Sequence, residues 1–478
     1  MIVARSFSHL SGSKARRSLI HFGLALIAST GAGQPARPSA ASGEAQLARI
    51  ALTFLEQLRT GRPDQAERLV APESLETLSA AELTKAWKAL EDRQGRLLAL
   101  EGAVVGRVER HDIVTVGARF EKGALGLRVV LTPSGQVAGL LFGEAGSGDG
   151  LSTMPAYADA SAFEEMDYSV FEDDRRRPGL LVLPHGPPPF PAVMLIPGYG
   201  QHDRDGTIGP NKPLRDLAWG LGALGIASLR YDKPRLTASI GPDLRDVTYK
   251  EEFVDDALAA IRQLRRDRRI QRDGIFVLGH GLGGQVAPAI AARARTLPGT
   301  SLSPTGLFTG SSYLAGMVLL AGSARPLVET MIDQLNHIAM EDDQFKLEEA
   351  RSILAFQSEV EALLETGGRD SPPVMGLTYS YLTALNNYDC LKTAQRAKIP
   401  MLILQGQRDF QVTAARDFEA WREALKDRAD VAFKLYPDLN HLFMTGAGAS
   451  YPSEYERAGH VAEEVVHDIA QWIKRAIR

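Results

Sequence analysis

Ile275-Phe276-Val277-Leu278-Gly279-His280-Gly281-Leu282-Gly283-Gly284-Gln285-Val286-Ala287-Pro288-Ala289-Ile290-Ala291-Ala292 is the stretch on which the fold turns. Its four leading apolar residues read as a strand buried on both faces, where no polar alternation is needed. Glycines at 279, 281, 283 and 284 mark a tight turn. The small and apolar residues after it predict a helix. Strand, glycine turn and helix together lift the turn residue above the end of a sheet. That residue is Gly281, which has no side chain. Any chemistry at this turn has therefore been lost or is carried by other groups.

Working outward, further apolar strand cores alternate with helical stretches at Ala192 to Ile196, Ile226 to Leu229, Met317 to Leu320, Met401 to Leu404 and Ala432 to Leu435. That alternation predicts an α/β domain over residues 151–478, with a mostly parallel sheet covered by helices on both faces. A long insertion, about residues 323–387, separates the Met317 and Met401 strands. It reads as helical and strongly charged around Glu341-Asp342-Asp343 and Lys346-Leu347-Glu348-Glu349. Gly146-Ser147-Gly148-Asp149-Gly150 marks a boundary. Before it, residues 44–145 predict a small α+β domain. Helical spacing covers Ala48 to Leu58 and helix is expected from Glu76 to Leu90; alternating strands are expected only after Gly106, at Ile113 to Phe120, Leu125 to Leu131 and Gln136 to Phe142.

The first 32 residues read as a secretory signal: Lys14, Arg16 and Arg17, then the apolar run Leu19 to Ala28, then Thr30-Gly31-Ala32 as a cleavage site. The run is too short to span a membrane. Arg16-Arg17-Ser18-Leu19-Ile20 loosely resembles a twin-arginine signal. Residues 33–43, rich in proline and small residues, predict a linker. The expectation is a periplasmic or secreted protein.

Composition excludes several classes. Over 478 residues, 54 Lys and Arg stand against 58 Asp and Glu, a net charge of −4, which implies no nucleic-acid partner. Arg175-Arg176-Arg177 and Arg265-Arg266-Asp267-Arg268-Arg269 lack interleaved aromatics and read as solvated charge. The single cysteine, Cys390, rules out an internal disulfide and reads as a small buried hydrophobe. No histidine pair has metal-ligand spacing, so no metal and no cofactor is expected.

Three more segments bear on chemistry. Gln405-Gly406-Gln407-Arg408-Asp409-Phe410-Gln411-Val412-Thr413 follows the Met401 strand, and Tyr436-Pro437-Asp438-Leu439-Asn440-His441-Leu442-Phe443 follows the last strand. Leu195-Ile196-Pro197-Gly198-Tyr199-Gly200-Gln201-His202-Asp203-Arg204-Asp205 is paired with the later Leu229-Arg230-Tyr231-Asp232-Lys233. In this order the segments resemble the α/β-hydrolase superfamily, whose turn reads G-x-S-x-G and whose acid and histidine follow in sequence. The D-R-D and R-Y-D-K blocks resemble those of a bacterial carboxylesterase group with an extra N-terminal α+β domain, similar to the cystatin-like cone domains of some secreted hydrolases.

The resemblance implies an α/β-hydrolase fold with a helical cap over the pocket. It implies that Asp409 is the acid, His441 the base, and the amides of Leu282 and Tyr199 the oxyanion hole. It implies a small-molecule ester or acyl ligand. Two departures stand out: Gly281 occupies the nucleophile position, and Pro197 replaces a histidine common before the oxyanion-loop glycine. Three readings stay open. The chain has lost ester hydrolysis and binds a ligand; or His441 and Asp409 activate water or a substrate proton directly, with His202, Asp203 and Asp205 as further polar groups; or Gly281 is a Ser→Gly variant of an ordinary esterase.

Overall fold

The computed structural model describes residues 40–477, except 76, 109–110, 145–153, 173–174, 201, 234–243, 298–312, 341–346 and 375. The expected signal (1–32), most of the expected linker, the Gly146–Gly150 boundary and the acidic cluster Glu341-Asp342-Asp343 lie outside the described residues. Those described form two compact units, one up to residue 144 with Tyr455–Ala458, and one of Met154–Glu454 with the residues from Gly459 onward.

The first unit contains α1 (Ala40–Arg59), α2 (Pro63–Glu67) and α3 (Ala80–Gln94), then β1 (Leu97–Val108), β2 (His111–Phe120), β3 (Gly123–Leu131) and β4 (Val137–Glu144). The strands form an antiparallel meander in the order β1-β2-β3-β4. β2 shows why: Val114, Val116, Ala118 and Phe120 are buried while Ile113, Thr115 and Gly117 between them are not. Its inner face packs with Phe54, Leu55 and Trp87 of the helices.

Three expectations need correction here. α1 starts at Ala40, inside the expected linker, because no proline lies between Pro38 and the end of the helix at Arg59 to interrupt it. α3 starts at Ala80 rather than Glu76; Ser79 accepts the amide of Glu82 and so fixes the start. β1 was missed, since Leu97-Leu98-Ala99-Leu100 carries no period-two polarity.

The second unit contains β5 (Phe163–Asp167), β6 (Val170–Glu172), β7 (Arg175–Arg177), β8 (Gly179–Pro184), β9 (Phe190–Ile196), α4 (Pro213–Ala223), β10 (Ala227–Tyr231), α5 (Asp255–Leu264), β11 (Ile270–His280), α6 (Leu282–Ala294) and β12 (Gly316–Leu320). It continues with α7 (Leu327–Ala339), α8 (Leu347–Thr366), α9 (Tyr379–Asn386), α10 (Cys390–Arg396), β13 (Met401–Gly406), α11 (Glu419–Leu425), β14 (Val431–Tyr436) and α12 (Glu463–Ala476). One eight-stranded sheet runs β14-β13-β12-β11-β9-β10-β8-β5. Only β8 runs against the direction of the other strands. The six expected strands are its parallel part; β5 and β8 at the edge were not foreseen.

Arg175–Arg177 is a short strand rather than a solvated loop. Arg177 is buried and its Nε donates to Asp256 at 2.7 Å, because an arginine reaching into the core needs a carboxylate there. Helices α7 to α9 fill the insertion between β12 and β13. Among the described residues no helix is long and apolar enough to cross a membrane.

Candidate active site

The carboxyl ends of β11, β13 and β14 bring three loops together. At the end of β11, Gly281 turns the chain into α6 with φ 56° and ψ −120°. Its amide donates to Leu320 O at 2.9 Å, which ties the turn to β12. The framing glycines are needed for space. A Cβ at Gly279 would fall 2.1 Å from Gly283 O, and one at Gly283 would fall 2.5 Å from Pro197 O. Gly281 differs. A Cβ there would lie 3.4 Å from His441 Nε2 and 3.6 Å from Gly198 Cα, ordinary contact distances. Only the positive φ disfavours a side chain at 281.

His441 and Asp409 meet directly: Nδ1 donates to Oδ2 at 2.8 Å. Asp409 is buried, and its carboxylate is held on every side. Oδ1 accepts the amides of Gln411 (2.8 Å) and Val412 (2.9 Å), and Oδ2 also accepts Gln405 Nε2 (2.9 Å). His441 is set by its own loop. Asn440 Oδ1 accepts the amides of Leu442 and Met444, and Asn440 Nδ2 donates to Glu454. Phe443, at φ 58°, holds a left-handed conformation costing on the order of 1–3 kcal/mol. Its buried ring anchors the turn in the core. His280 Nε2 bonds His441 O at 2.8 Å, and the two rings lie 4.5 Å apart. Burial pushes the His280 imidazole down to about 3, and the nearby His441 adds to this. His280 therefore stays neutral near pH 7.

The D-R-D and R-Y-D-K blocks are partners. Arg204 forms a two-point pair with Asp232, while Arg230 pairs with both Asp205 and Glu165. Asp203 accepts the amides of Asp205 and Thr207 within its own loop. Asp203 and Asp205 thus hold the loop together and are not brought into the site. His202 is close enough to His441 and Lys233 to feel their charge. Burial, then Lys233, pushes it down to about 4.

Lys233, the last residue of the R-Y-D-K block, fastens the loop that carries Tyr199. Its Nζ donates to Gly198 O and Gly200 O, both at 2.9 Å, and pairs with Glu252 at 2.6 Å. Glu252 in turn accepts the hydroxyl of Tyr381 on α9. The carbonyls flanking Tyr199 are so fixed, and the Gly198 backbone lies against the turn: a Cβ there would be 3.9 Å from Leu282 N. The insertion is also fastened to the acid loop. Gln334 donates to Gln411 O at 3.1 Å, and His337 stacks on Phe410 at 5.1 Å.

Cys390 is buried against the carbonyls of Ser323 and Ala324, and burial pushes its thiol up to about 12. It offers no thiolate. Among the described residues no group of three or more His, Cys, Asp or Glu is arranged to hold a metal ion. The arrangement can exchange a proton at His441 Nε2 with whatever occupies the space above Gly281. Gln405, Asn440, His280, Lys233 and Glu252 support it. Gln405, at the end of β13, and Asn440 lie close in sequence to Asp409 and His441, a proximity that was available as a signal. Lys233 stood in the R-Y-D-K block, but nothing in the sequence pointed to Glu252 as its partner.

The chain is similar to known proteins. Residues 188–446 match the family described as serine aminopeptidase, S33. Esterase EstD of Thermotoga maritima is 33% identical over 426 residues, covering 88% of this chain and 94% of its own. Among solved structures, Est1E of Butyrivibrio proteoclasticus is 15% identical, with 65% of this chain and 98% of that chain covered at a TM-score of 0.40. The hyperthermophilic esterase of Pyrobaculum calidifontis is likewise 15% identical, with 66% and 86% covered and a TM-score of 0.40. With its sheet order, its turn and this kinship, the chain belongs to the esterase-type α/β-hydrolase superfamily.

Proposed function

We propose that this chain is an esterase-type hydrolase whose nucleophile is gone, so that serine-ester hydrolysis is lost or severely reduced and the pocket binds a small ester or acyl ligand. One observation carries the reading. The residue that faces His441 Nε2 is Gly281, and no hydroxyl is attached there. Asp409 as orienter, His441 as base, and the amides of Leu282 and Tyr199 as oxyanion donors are the roles assigned to the remaining parts. Without a nucleophile these would leave about 10³–10⁴-fold over water.

Two measurements test this together: turnover of p-nitrophenyl butyrate, and labelling by a serine-directed organophosphonate read by mass spectrometry. Near-background turnover and no label are expected. Stoichiometric labelling at any serine would overturn the reading. A second reading, direct activation of water, is supported by the intact 2.8 Å Asp409–His441 hydrogen bond. It requires substantial turnover without label. The N-terminal basic and apolar run supports export as part of the proposal. Sequencing the mature N-terminus, with cleavage near Ala32 expected, tests it.

A further inference from the structure

The loop after β9 is fastened from the R-Y-D-K block at two depths. Asp232 pairs with Arg204, and Arg230 with Asp205, in the far half of the loop. Lys233 holds the near half, where Gly198 and Gly200 flank Tyr199. Its side chain and that of Glu252 are 4% and 1% exposed. An ammonium has three N–H bonds, and here all three meet acceptors: two carbonyls and one carboxylate. Burial pushes the Lys233 ammonium down and Glu252 pushes it back up, so the three-donor form depends on that carboxylate.

The hold on Gly198 O bears directly on Tyr199. The Gly198 carbonyl and the Tyr199 N–H belong to one peptide plane, and in a trans peptide they point in opposite directions. An ammonium on Gly198 O therefore fixes the direction of the Tyr199 N–H.

The connection continues outward into the insertion. Glu252 stands on the helical turn Lys250–Val254, and its second oxygen accepts the Tyr381 hydroxyl. Tyr381 is buried in the first turn of α9, where Thr378 accepts its amide at 3.2 Å. Its ring centroid lies 6.4 Å from that of Tyr199. Just ahead of the Glu252 turn the insertion is met again at the surface, by Arg245 with Asp370 and Arg369 with Asp246. Those side chains are 46–77% exposed, and exposed pairs contribute little. The buried path is the firm one.

We propose that Tyr381 is a positioning residue through which the insertion sets the loop at Tyr199: α9 holds Glu252, Glu252 holds Lys233, and Lys233 holds the carbonyls on either side of Tyr199. Seating of α9 and alignment of the Tyr199 amide are then one event, and whatever lifts α9 releases that amide. The effect on turnover rests on the preceding assignment of the Tyr199 amide as an oxyanion donor; the mechanical connection does not.

Tyr381→Phe tests this, since it removes one oxygen and keeps the ring; circular dichroism checks that each variant folds. The first measurement is limited proteolysis of the full chain by chymotrypsin, with cuts located by mass spectrometry. Cleavage after Tyr199 should quicken about tenfold, with cleavage after Phe410 in the acid loop unchanged, because local opening sets such rates. The second measurement uses the Gly281→Ser form. There Tyr381→Phe should lower kcat about tenfold or more with KM changed by less than about twofold, as a misplaced donor does. Added to Lys233→Met in that form, Tyr381→Phe should do nothing further, because the connection is already cut. Where Lys233→Met does not fold, cleavage and the split between kcat and KM decide the matter. A helix that only packs over substrate would move KM and act additively with Lys233→Met. Unchanged cleavage after Tyr199, a change in KM alone, or additive effects overturn the proposal. The preceding reading fails by other signs. A Gly281→Ser protein without turnover sinks the nucleophile assignment, and faster cleavage with full kcat sinks the role of the Tyr199 amide; in both cases cleavage still decides the connection.

Discussion

The Asp409–His441 half of the site and the Gly281 half are built to different degrees of completion. On the first, both carboxylate oxygens of Asp409 are engaged and His441 is held by its loop, by His280 and by Asp409. On the second, the turn is tied down by Gly281 N and packed by Gly279 and Gly283, yet its central residue presents nothing to His441 Nε2. The difference shows that the close packing of a strand-to-helix glycine turn and the side chain at its centre are separable. Close backbone packing demands two glycines, while the third position has room for a side chain.

The largest expected effect strikes the packing side of that contrast. Gly279→Ala would press a methyl into Gly283 O at 2.1 Å, with no flexible side chain to yield. We expect a loss above about 4 kcal/mol, read as absence of a cooperative thermal transition. A folded, stable Gly279→Ala protein would break the distinction between framing and central glycines.

Next in size is Gly281→Ser. The 3.4 Å contact leaves space for the Cβ, so turnover of p-nitrophenyl butyrate should rise at least ~10²-fold. Stability measured by urea unfolding should fall by roughly 1–3 kcal/mol from the positive φ. Stability lost without activity would mean a pocket remodelled beyond its nucleophile, with Pro197 or the cap the first suspects.

Asp409→Asn placed in that Gly281→Ser background sharpens the other half. kcat should drop by about 10²-fold or more with KM little changed, the result that the proposed orienting role of Asp409 requires. An unchanged kcat would show that the hydrogen bonds around Asp409 serve the loop alone.

The smallest effect is a pH slope. His280 is neutral in the folded protein down to about 3, against 6.5 for a free side chain. The unfolded chain therefore binds this proton first as pH falls. Stability contributed by keeping His280 neutral is full above about 6.5 and is lost progressively toward 3, by about 1 kcal/mol per pH unit. Urea unfolding at pH 7 and pH 5 should show this slope, and His280→Gln should flatten it.

Legibility in the sequence followed locality. The inner parallel strands announced themselves because a doubly covered strand is largely apolar, as Ile275 to Leu278 is, whereas β14 at the edge is only partly buried and carries Lys434. The edge strand β5, Phe-Glu-Glu-Met-Asp, alternates too weakly to stand out. Asp409, His441 and Gly281 were readable because each sits in a loop directly after a strand. Arg177 was misread because its partner Asp256 lies 79 residues away.

By itself the sequence determined the α/β architecture, the order of the three loops and the absence of a side chain at 281, since strand burial, glycine turns and residue identity are local properties. Tertiary structure alone decided that Lys233 holds Gly198 and Gly200 while Glu252 links it to Tyr381 on α9. It also decided that His441 Nε2 faces an unfilled space with a helix N-terminus on its other side. Burying a charge requires a partner at the right place, and which partner arrives is set by how distant strands pack, not by any stretch of chain read alone.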